Sequence, residues 1–361
     1  MKVALVIDKY MIGGGLINLY RLVKGLPDIE FGLFAKDGKG KKIFEDIRNV
    51  RLFNNNSYND ILNFKPDIIH FNHLKPLVNF LVNDRIYRKS ITSLLFTAHG
   101  LHIHKYEFSK KKLDKLKFYL RFIIEKHTYN KVSKVIAVSK EDKNWLISNY
   151  KLKNVTYIPN GIDCESFSRN YIADSDIINL LKDKFIFFTI ARFDFQKGYD
   201  TLVKAIRIID KKLPPDVIFV FLGDGPEKGR ILGMIKSYNL NNRITVLNEK
   251  IDNNFLWKLG KVFVLPSRWE GLPTVILEAG CSRKLVIASS TYGNTELIHH
   301  DKTGLLFPVE DFNSLADMIL KAYKNYDKFM KFGNYLHKLV KSEYTIKRMV
   351  KEYESIYMQF V

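Results

Sequence analysis

Two glutamates eight residues apart, Glu270 and Glu278, lie in the segment Pro266-Ser267-Arg268-Trp269-Glu270-Gly271-Leu272-Pro273-Thr274-Val275-Ile276-Leu277-Glu278-Ala279-Gly280. The apolar run just before it, Val262 to Leu265, has the length and character of a buried parallel strand. Residues 267–274 then read as the loop at that strand's carboxyl end, with a helix from Val275 onward. In an open α/β sheet that crevice is where ligands bind. Pro273 suits the first helical position, and the exposed amides after it suit an anion. The segment therefore offers a loop carboxylate, a helix N-terminus for phosphate, and a second carboxylate about two turns further on. Carboxylates accept hydrogen bonds from hydroxyls, so the set suits a sugar and a ribose on either side of a diphosphate. Taken alone, the same residues read equally well as a loop acid beside a solvated helix acid.

A second pair, this one basic, follows another strand-like run. In Ala191-Arg192-Phe193-Asp194-Phe195-Gln196-Lys197-Gly198, a guanidinium and an ammonium at a strand's carboxyl end can clamp a diphosphate. By themselves they read more simply as two solvated loop residues in a basic protein. Gly13-Gly14-Gly15 separates the first strand from a helix beginning near Leu16, which lets backbone approach a ligand; a plain tight turn reads equally well. The spacing is not that of the dinucleotide fingerprint. His99 closes a strand-like run before Gly100, where a lone histidine is usually structural. His70 and His73 flank Asn72, but the preceding Ile68-Ile69 reads as strand and no nearby carboxylate completes a metal site. His299-His300 reads as an exposed turn, Asp224 as a turn former, and Glu296 as an acid favouring the start of its helix.

The elements that must position these groups alternate strand with helix, which argues for parallel sheets. Strands are expected at 2–8, 31–35, 67–71, 93–98, 134–138 and 155–158, and again at 185–190, 217–222, 244–247, 262–265, 285–289 and 305–307. That makes two Rossmann-like sets of about six. The stretch 161–175 lacks periodicity and is the hinge candidate, and the end of the chain from about Glu343 reads as a helix. At 361 residues, 46% of them hydrophobic, the chain can bury two cores, and disorder is excluded. Cys164 and Cys281 have no metal-type spacing and are expected in different domains, so no disulfide is expected and a reducing compartment fits. The opening residues 1–8 form too short an apolar run for a signal peptide, and runs such as Phe185 to Ala191 are far below a membrane span. A cytoplasmic protein is expected, with peripheral attachment to a membrane left open.

The net charge of +20 is unevenly spread: residues 1–160 hold 29 Lys and Arg against 14 Asp and Glu, the other 201 hold 29 against 24. Within the first part, Lys105 to Lys134 carries ten basic and three acidic residues, including Lys110-Lys111-Lys112. Leu113, Leu116, Leu120, Ile123, Ile124 and His127 recur there at helical spacing. A basic helix with an apolar face suits an anionic membrane surface. It equally suits a helix packed on a core with a charged outer face.

The long glutamate segment resembles the signature of the family-4 retaining glycosyltransferases of the GT-B fold. The resemblance continues in Gly13-Gly14-Gly15, Phe96-Thr97-Ala98-His99-Gly100, Val138-Ser139-Lys140, Ile158-Pro159-Asn160-Gly161-Ile162-Asp163, Ala191-Arg192-Phe193 with Lys197-Gly198, Leu222-Gly223-Asp224-Gly225-Pro226, Gly293-Asn294-Thr295-Glu296 and Gly304-Leu305-Leu306-Phe307. These occur in the family's order from the first strand to about Asp311. The resemblance implies an α/β fold of two Rossmann-like domains with parallel sheets facing across a cleft: an acceptor-side domain at 1–163, a nucleotide-sugar domain at 164–340, and a final helix at 341–361 crossing back onto the first. It implies retaining transfer of a sugar from a nucleotide-sugar, a UDP-sugar by family frequency, to a hydroxyl of a lipid-linked or saccharide acceptor. Bacterial surface polysaccharide, lipopolysaccharide or glycolipid assembly would be the setting. His99, Arg192, Lys197 and Glu270 take the catalytic positions; Gly14, Gly15, Gly271, Leu272, Pro273, Thr274 and Glu278 bind the donor. The base pocket is expected around 248–251. No cofactor and no metal are expected, the nucleotide-sugar being a co-substrate. Two rivals stand beside this reading: a nucleotide-sugar 2-epimerase of the same fold, and a basic nucleic-acid-binding protein, although no nucleic-acid motif is present.

Overall fold

In the computed structural model, residues 1–87, 93–108, 112–167, 179, 181–248 and 254–361 are described. Lys110 and Lys111, most of the hinge candidate, and 249–251 of the expected base pocket lie outside them. The chain divides into two compact units, Met1–Gly161 with Tyr344–Val361, and Ile162–Glu343.

The first unit is built on seven parallel strands: β1 (Lys2–Lys9), β2 (Glu30–Lys36), β3 (Val50–Phe53), β4 (Ile68–Phe71), β5 (Ser93–Ala98), β6 (Lys134–Ala137) and β7 (Val155–Tyr157). They lie in the order β3-β2-β1-β4-β5-β6-β7. β3 was not among the expected strands: Val50-Arg51-Leu52-Phe53 is a half-exposed edge with a charge in its middle, so it lacks the uniform apolar run of its neighbours. The second sheet contains β8 (Phe185–Ile190), β9 (Val217–Leu222), β10 (Ile244–Leu247), β11 (Val262–Leu265), β12 (Leu285–Ser289) and β13 (Leu305–Phe307). Its order is β10-β9-β8-β11-β12-β13. Both sheets are covered on both faces, which is why β9 and β11 are buried along their whole length and consist of apolar residues alone.

In each sheet the strand order reverses once, between β1 and β4 in the first and between β8 and β11 in the second. The carboxyl ends flanking such a reversal are splayed apart by loops running to opposite faces, which opens a crevice.

The last helix, Ile346–Tyr357, packs on the Gly14–Gly25 helix of the first unit. Its amphipathic face buries Met349, Tyr353, Ile356 and Tyr357. The chain leaves this unit and re-enters it at touching points: a Cβ on Gly161 would come within 2.7 Å of the Thr345 carbonyl oxygen. Arg21 donates to the Gly161 carbonyl at 2.8 Å and holds the exit.

Cys164 and Cys281 are joined in a disulfide, contrary to the expectation that they fall in different domains. Both belong to the second unit. The short helix Cys164–Phe167, immediately after the chain enters that unit, packs on the helix Thr274–Cys281. A separation of 117 residues concealed the contact. Among the described residues no helix is long and apolar enough to cross a membrane.

Candidate functional site

The second unit gathers its chemistry at the carboxyl ends of β8, β11 and β12, beside the reversal of strand order. Lys197, after β8, places its ammonium 2.6 Å from Glu270 Oε1 in the loop after β11. The Ser267 hydroxyl donates to the same oxygen at 2.6 Å, and the Gln196 side-chain amide reaches Oε2 at 3.4 Å and the Trp269 carbonyl at 2.8 Å. Glu270 is only 6% exposed, so this carboxylate is held by three donors away from bulk water. Charge-assisted bonds of this kind fix orientation as well as energy. Arg192, after the same strand, is half-exposed, with its Nε 3.9 Å from Asp194.

The loop is braced from below by Arg268, a residue the sequence reading did not single out. Its guanidinium bonds Asp200 at 3.0 Å, Glu310 at 2.6 Å and the Phe195 carbonyl at 2.6 Å, and lies 3.9 Å from the Phe195 ring centre. Burial alone would raise the Asp200 carboxyl; the Arg268 hydrogen bonds and charge outweigh it and hold it below its ordinary value. Arg268 thus ties the Lys197 turn to the Glu270 loop. Two glycines set the distance between loops. Gly198 has φ +64, and a Cβ there would lie 2.0 Å from the Pro266 carbonyl oxygen. Gly293, at φ +76 after β12, would place one 1.5 Å from that of Gly271. Only glycine combines left-handed backbone with so close an approach.

Gly271, Leu272 and Pro273 are buried and lead into the Thr274–Cys281 helix. Pro273 precedes the first helical residue rather than occupying it, so the leading amides belong to Thr274 and Val275. Glu278 is the fifth residue of this helix, half-buried, a little over one turn from those amides. The order along the crevice is therefore ammonium and buried carboxylate, helix N-terminus, second carboxylate. It can grip a hydroxylated group, an anion, and a second hydroxylated group in turn.

The first unit has its own cluster at the ends of β1, β4 and β5. The backbone at Gly15, early in the Gly14–Gly25 helix, comes close enough to the His99 ring that a Cβ there would meet Cγ at 3.5 Å. His99 Nε2 lies 3.0 Å from Asn72 Oδ1, while the Asn72 amide nitrogen donates to the His70 carbonyl at 3.3 Å. That second bond orients the amide, so Nε2 carries the proton and Nδ1 the lone pair. Nδ1 is buried and has no partner among the described residues. Burial first, and then the neighbouring imidazoles of His73 and His102, push the His99 pKa down to about 3. His99 is consequently neutral, a hydrogen-bonding group and not a cation.

His70, considered above as half of a metal pair, is committed elsewhere. Its Nδ1 meets the Tyr357 hydroxyl at 2.8 Å and its Nε2 the Thr97 hydroxyl at 2.7 Å, with Tyr353 3.2 Å from Thr97. Burial lowers its pKa to about 3. His73 Nδ1 accepts the Asp8 amide at 3.2 Å. Among the described residues no group of three or more His, Cys, Asp or Glu could hold a metal ion. The final helix therefore anchors β4 and β5 two residues ahead of Asn72 and His99.

Sequence reasoning thus named Lys197, Glu270 and His99 but missed what holds them: Ser267, Gln196 and Arg268 lay inside the quoted motifs without a role, and Asn72 was noticed only as a spacer between histidines.

The chain as a whole is similar to known proteins. Residues 172–339 match the family model for glycosyl transferases group 1, and 36–166 that for glycosyltransferase family 4. The UDP-Gal:alpha-D-GlcNAc-diphosphoundecaprenol alpha-1,3-galactosyltransferase of Escherichia coli is 28% identical over 305 residues, 82% of this chain and 76% of that protein. The O-antigen biosynthesis glycosyltransferase WclY of Escherichia coli is 24% identical over 363 residues, 99% of this chain and 98% of its own. Among solved structures, Anabaena HepE in complex with UDP and glucose superposes with a TM-score of 0.83 at 21% identity, covering 99% of this chain and 100% of that one.

Proposed function

Because this chain belongs to the family-4 glycosyltransferases and has their GT-B fold, we propose that it transfers a sugar from a UDP-sugar, with retention, to a hydroxyl of a lipid-linked saccharide. The observation that carries the reading is the Lys197–Glu270 pair at 2.6 Å beside the N-terminus of the helix bearing Glu278. In this proposal Glu278 takes the ribose hydroxyls, the Thr274 and Val275 amides and Arg192 take the diphosphate, and Glu270 takes the donor sugar. Lys197 is then shared between Glu270 and the leaving phosphate. As the bond from the sugar C1 to the β-phosphate oxygen breaks, charge builds on that oxygen. The acceptor oxygen bonds to C1 and its proton passes to the departing diphosphate. Fixed cations and amides aimed at that charge supply the catalysis without a protein nucleophile. His99, with a neutral ring and an acceptor nitrogen, suits a donor-sugar hydroxyl, as the family resemblance implies for it.

The names of two relatives support the acceptor reading: those of Escherichia coli are named for a diphosphoundecaprenol-linked acceptor and for O-antigen synthesis, and surface-polysaccharide assembly is the setting proposed here. A lipid-carried acceptor would place the reaction at a membrane face. The reaction is proposed to run without metal or cofactor, and chelator-insensitive turnover would bear that out.

Thermal unfolding against UDP, GDP, ADP and CDP tests the donor assignment. UDP at a hundred times its dissociation constant should add about 2.7 kcal/mol, and Glu278→Ala should abolish the shift. No shift with UDP would overturn the donor reading. The anomeric configuration of the product, read by proton NMR, decides retention. Donor turnover in the absence of any acceptor would favour the epimerase instead.

A further inference from the structure

The Lys112–Tyr129 helix turns its apolar residues away from the protein. Leu113, Leu116, Tyr119, Leu120, Ile123 and Ile124 are between 47% and 64% exposed, and at helical spacing they fall on one arc. The opposite arc does the packing: Phe122 lies 4.8 Å from the Tyr150 ring, and buried Glu125 accepts from Arg121 and from the Tyr150 hydroxyl. Lys112, Lys115 and Lys126 border the apolar arc on one side and Lys117 on the other. Lys117 pairs with Asp114 at 3.0 Å; the other three have no acidic partner among the described residues. The neighbouring Leu74–Tyr87 helix, against which this one packs, exposes Val82 and Ile86 one turn apart, at 55% and 67%. Single exposed apolar side chains are ordinary, but a contiguous stripe rimmed by cations is the mark of an interaction face.

We propose that this face docks on an anionic lipid surface. The helix lies in the plane of the interface, its five aliphatic side chains in the acyl boundary, Tyr119 at headgroup level and the lysines on lipid phosphates. Charge decides between this and a second copy of the chain. Face-to-face self-association would bring together two rows of lysines with few acids to meet them, on parts of the chain that each carry 29 basic against 14 acidic residues. An anionic membrane satisfies the apolar arc and its rim together. The inference deepens the lipid-linked acceptor reading, on which it rests for its purpose, but its physical test uses neither donor nor acceptor.

The full chain would be co-sedimented with vesicles of phosphatidylcholine alone and with about a third phosphatidylglycerol. Binding to the anionic vesicles at low salt, falling as salt rises, is the expected result. The variant Leu116→Glu/Leu120→Glu/Ile123→Glu should bind at least about tenfold more weakly. Lys112→Glu/Lys115→Glu/Lys126→Glu should lose the preference for anionic lipid. Every substituted side chain is exposed or at the edge of the helix, so circular dichroism and the unfolding midpoint should stay at wild-type values and confirm the fold. Absence of wild-type binding at low salt, or wild-type binding by the Glu triple variant, overturns the proposal. So does a wild-type dimer that the same variant makes monomeric without any vesicle binding, which would assign the face to a second copy. Vesicle binding without sugar transfer would instead overturn the functional reading and leave this one standing.

Discussion

Removing Lys197 separates two effects that the Lys197–Glu270 contact combines. At 2.6 Å and an effective dielectric of about 20, opposite unit charges attract by roughly 6 kcal/mol, most of it offset by desolvation. Deleting one partner leaves the desolvation cost without the attraction, about 3–5 kcal/mol for a fully buried pair. The Lys197 side chain is 20% exposed and Glu270 keeps the Ser267 and Gln196 donors, so Lys197→Ala should cost about 2–3 kcal/mol of unit stability. For a unit of this size that lowers the unfolding midpoint by about 5–10 °C. Adding Glu270→Gln removes the stranded charge and should restore most of the loss. Turnover should behave differently: if Lys197 serves the leaving diphosphate as proposed, it falls by two to three orders of magnitude, about 3–4 kcal/mol, in the single variant, and by at least as much in the double, which also loses the Glu270 carboxylate. The assay is a double-mutant cycle read by calorimetry and by initial rates of product formation. Turnover of Lys197→Ala within a few-fold of wild type would refute the leaving-group role. A double variant no more stable than the single one would refute the claim that the ion pair holds Glu270.

Other perturbations follow from the same geometry. Gly293→Ala drives a Cβ to within 1.5 Å of the Gly271 carbonyl oxygen at a left-handed backbone, and should cost roughly 2–4 kcal/mol while weakening UDP; full nucleotide affinity in this variant would mean that the loop spacing is irrelevant. Asn72→Ala strands the His99 Nε2 proton, a loss of about 1–3 kcal/mol in kcat/KM with the ring free to change tautomer, and an unchanged imidazole nitrogen NMR signature would discount the positioning role. His70 and His99 are both held near pKa 3, so the unfolded chain binds their protons from about pH 6.5 downward while the folded chain does not. Stability therefore rises with pH across that window and is lost as pH falls, by up to about 1.4 kcal/mol per pH unit for each histidine; a flat urea midpoint between about pH 7 and 5 would contradict this. Cys164→Ser opens a 117-residue loop and should cost about 2–4 kcal/mol, visible as an equal loss when wild type is reduced with dithiothreitol.

The second sheet was legible almost residue for residue because its strands are buried on both faces. Val217–Leu222 is an uninterrupted apolar run and Phe185–Ile190 is broken only by Thr189, and runs of that length rich in aromatic and β-branched residues fit strands of a covered parallel sheet. Val50–Phe53 escaped because an edge strand need only satisfy one neighbour and can carry Arg51. The disulfide escaped for a different reason. Which helix Cys164 packs against is decided by the path of the chain into the second unit, and no local pattern encodes it.

The same distinction explains which parts of the site could be read. The loops after β8, β11 and β12 must pass within van der Waals distance of one another, and only glycine at 198 and 293 allows it. Backbone constraints of that kind are written into local sequence, so the motifs carrying Lys197, Glu270 and Glu278 stand out. The partners of the functional side chains are constrained by space alone: Asn72 and His99 are 27 residues apart, Lys197 and Glu270 73 apart, and Arg268 and Glu310 42 apart. The arrangement in the first unit shows what this costs a sequence reader. His99 is kept neutral by burial and oriented by Asn72, and both stand on strands that Tyr353 and Tyr357 anchor through His70 and Thr97. A helix at the far end of the chain therefore fixes the strands beneath the histidine. A substitution at Tyr357 would reach His99 through His70 and β4, whereas one on the outer face of the same helix, at Lys347 or Lys351, would not.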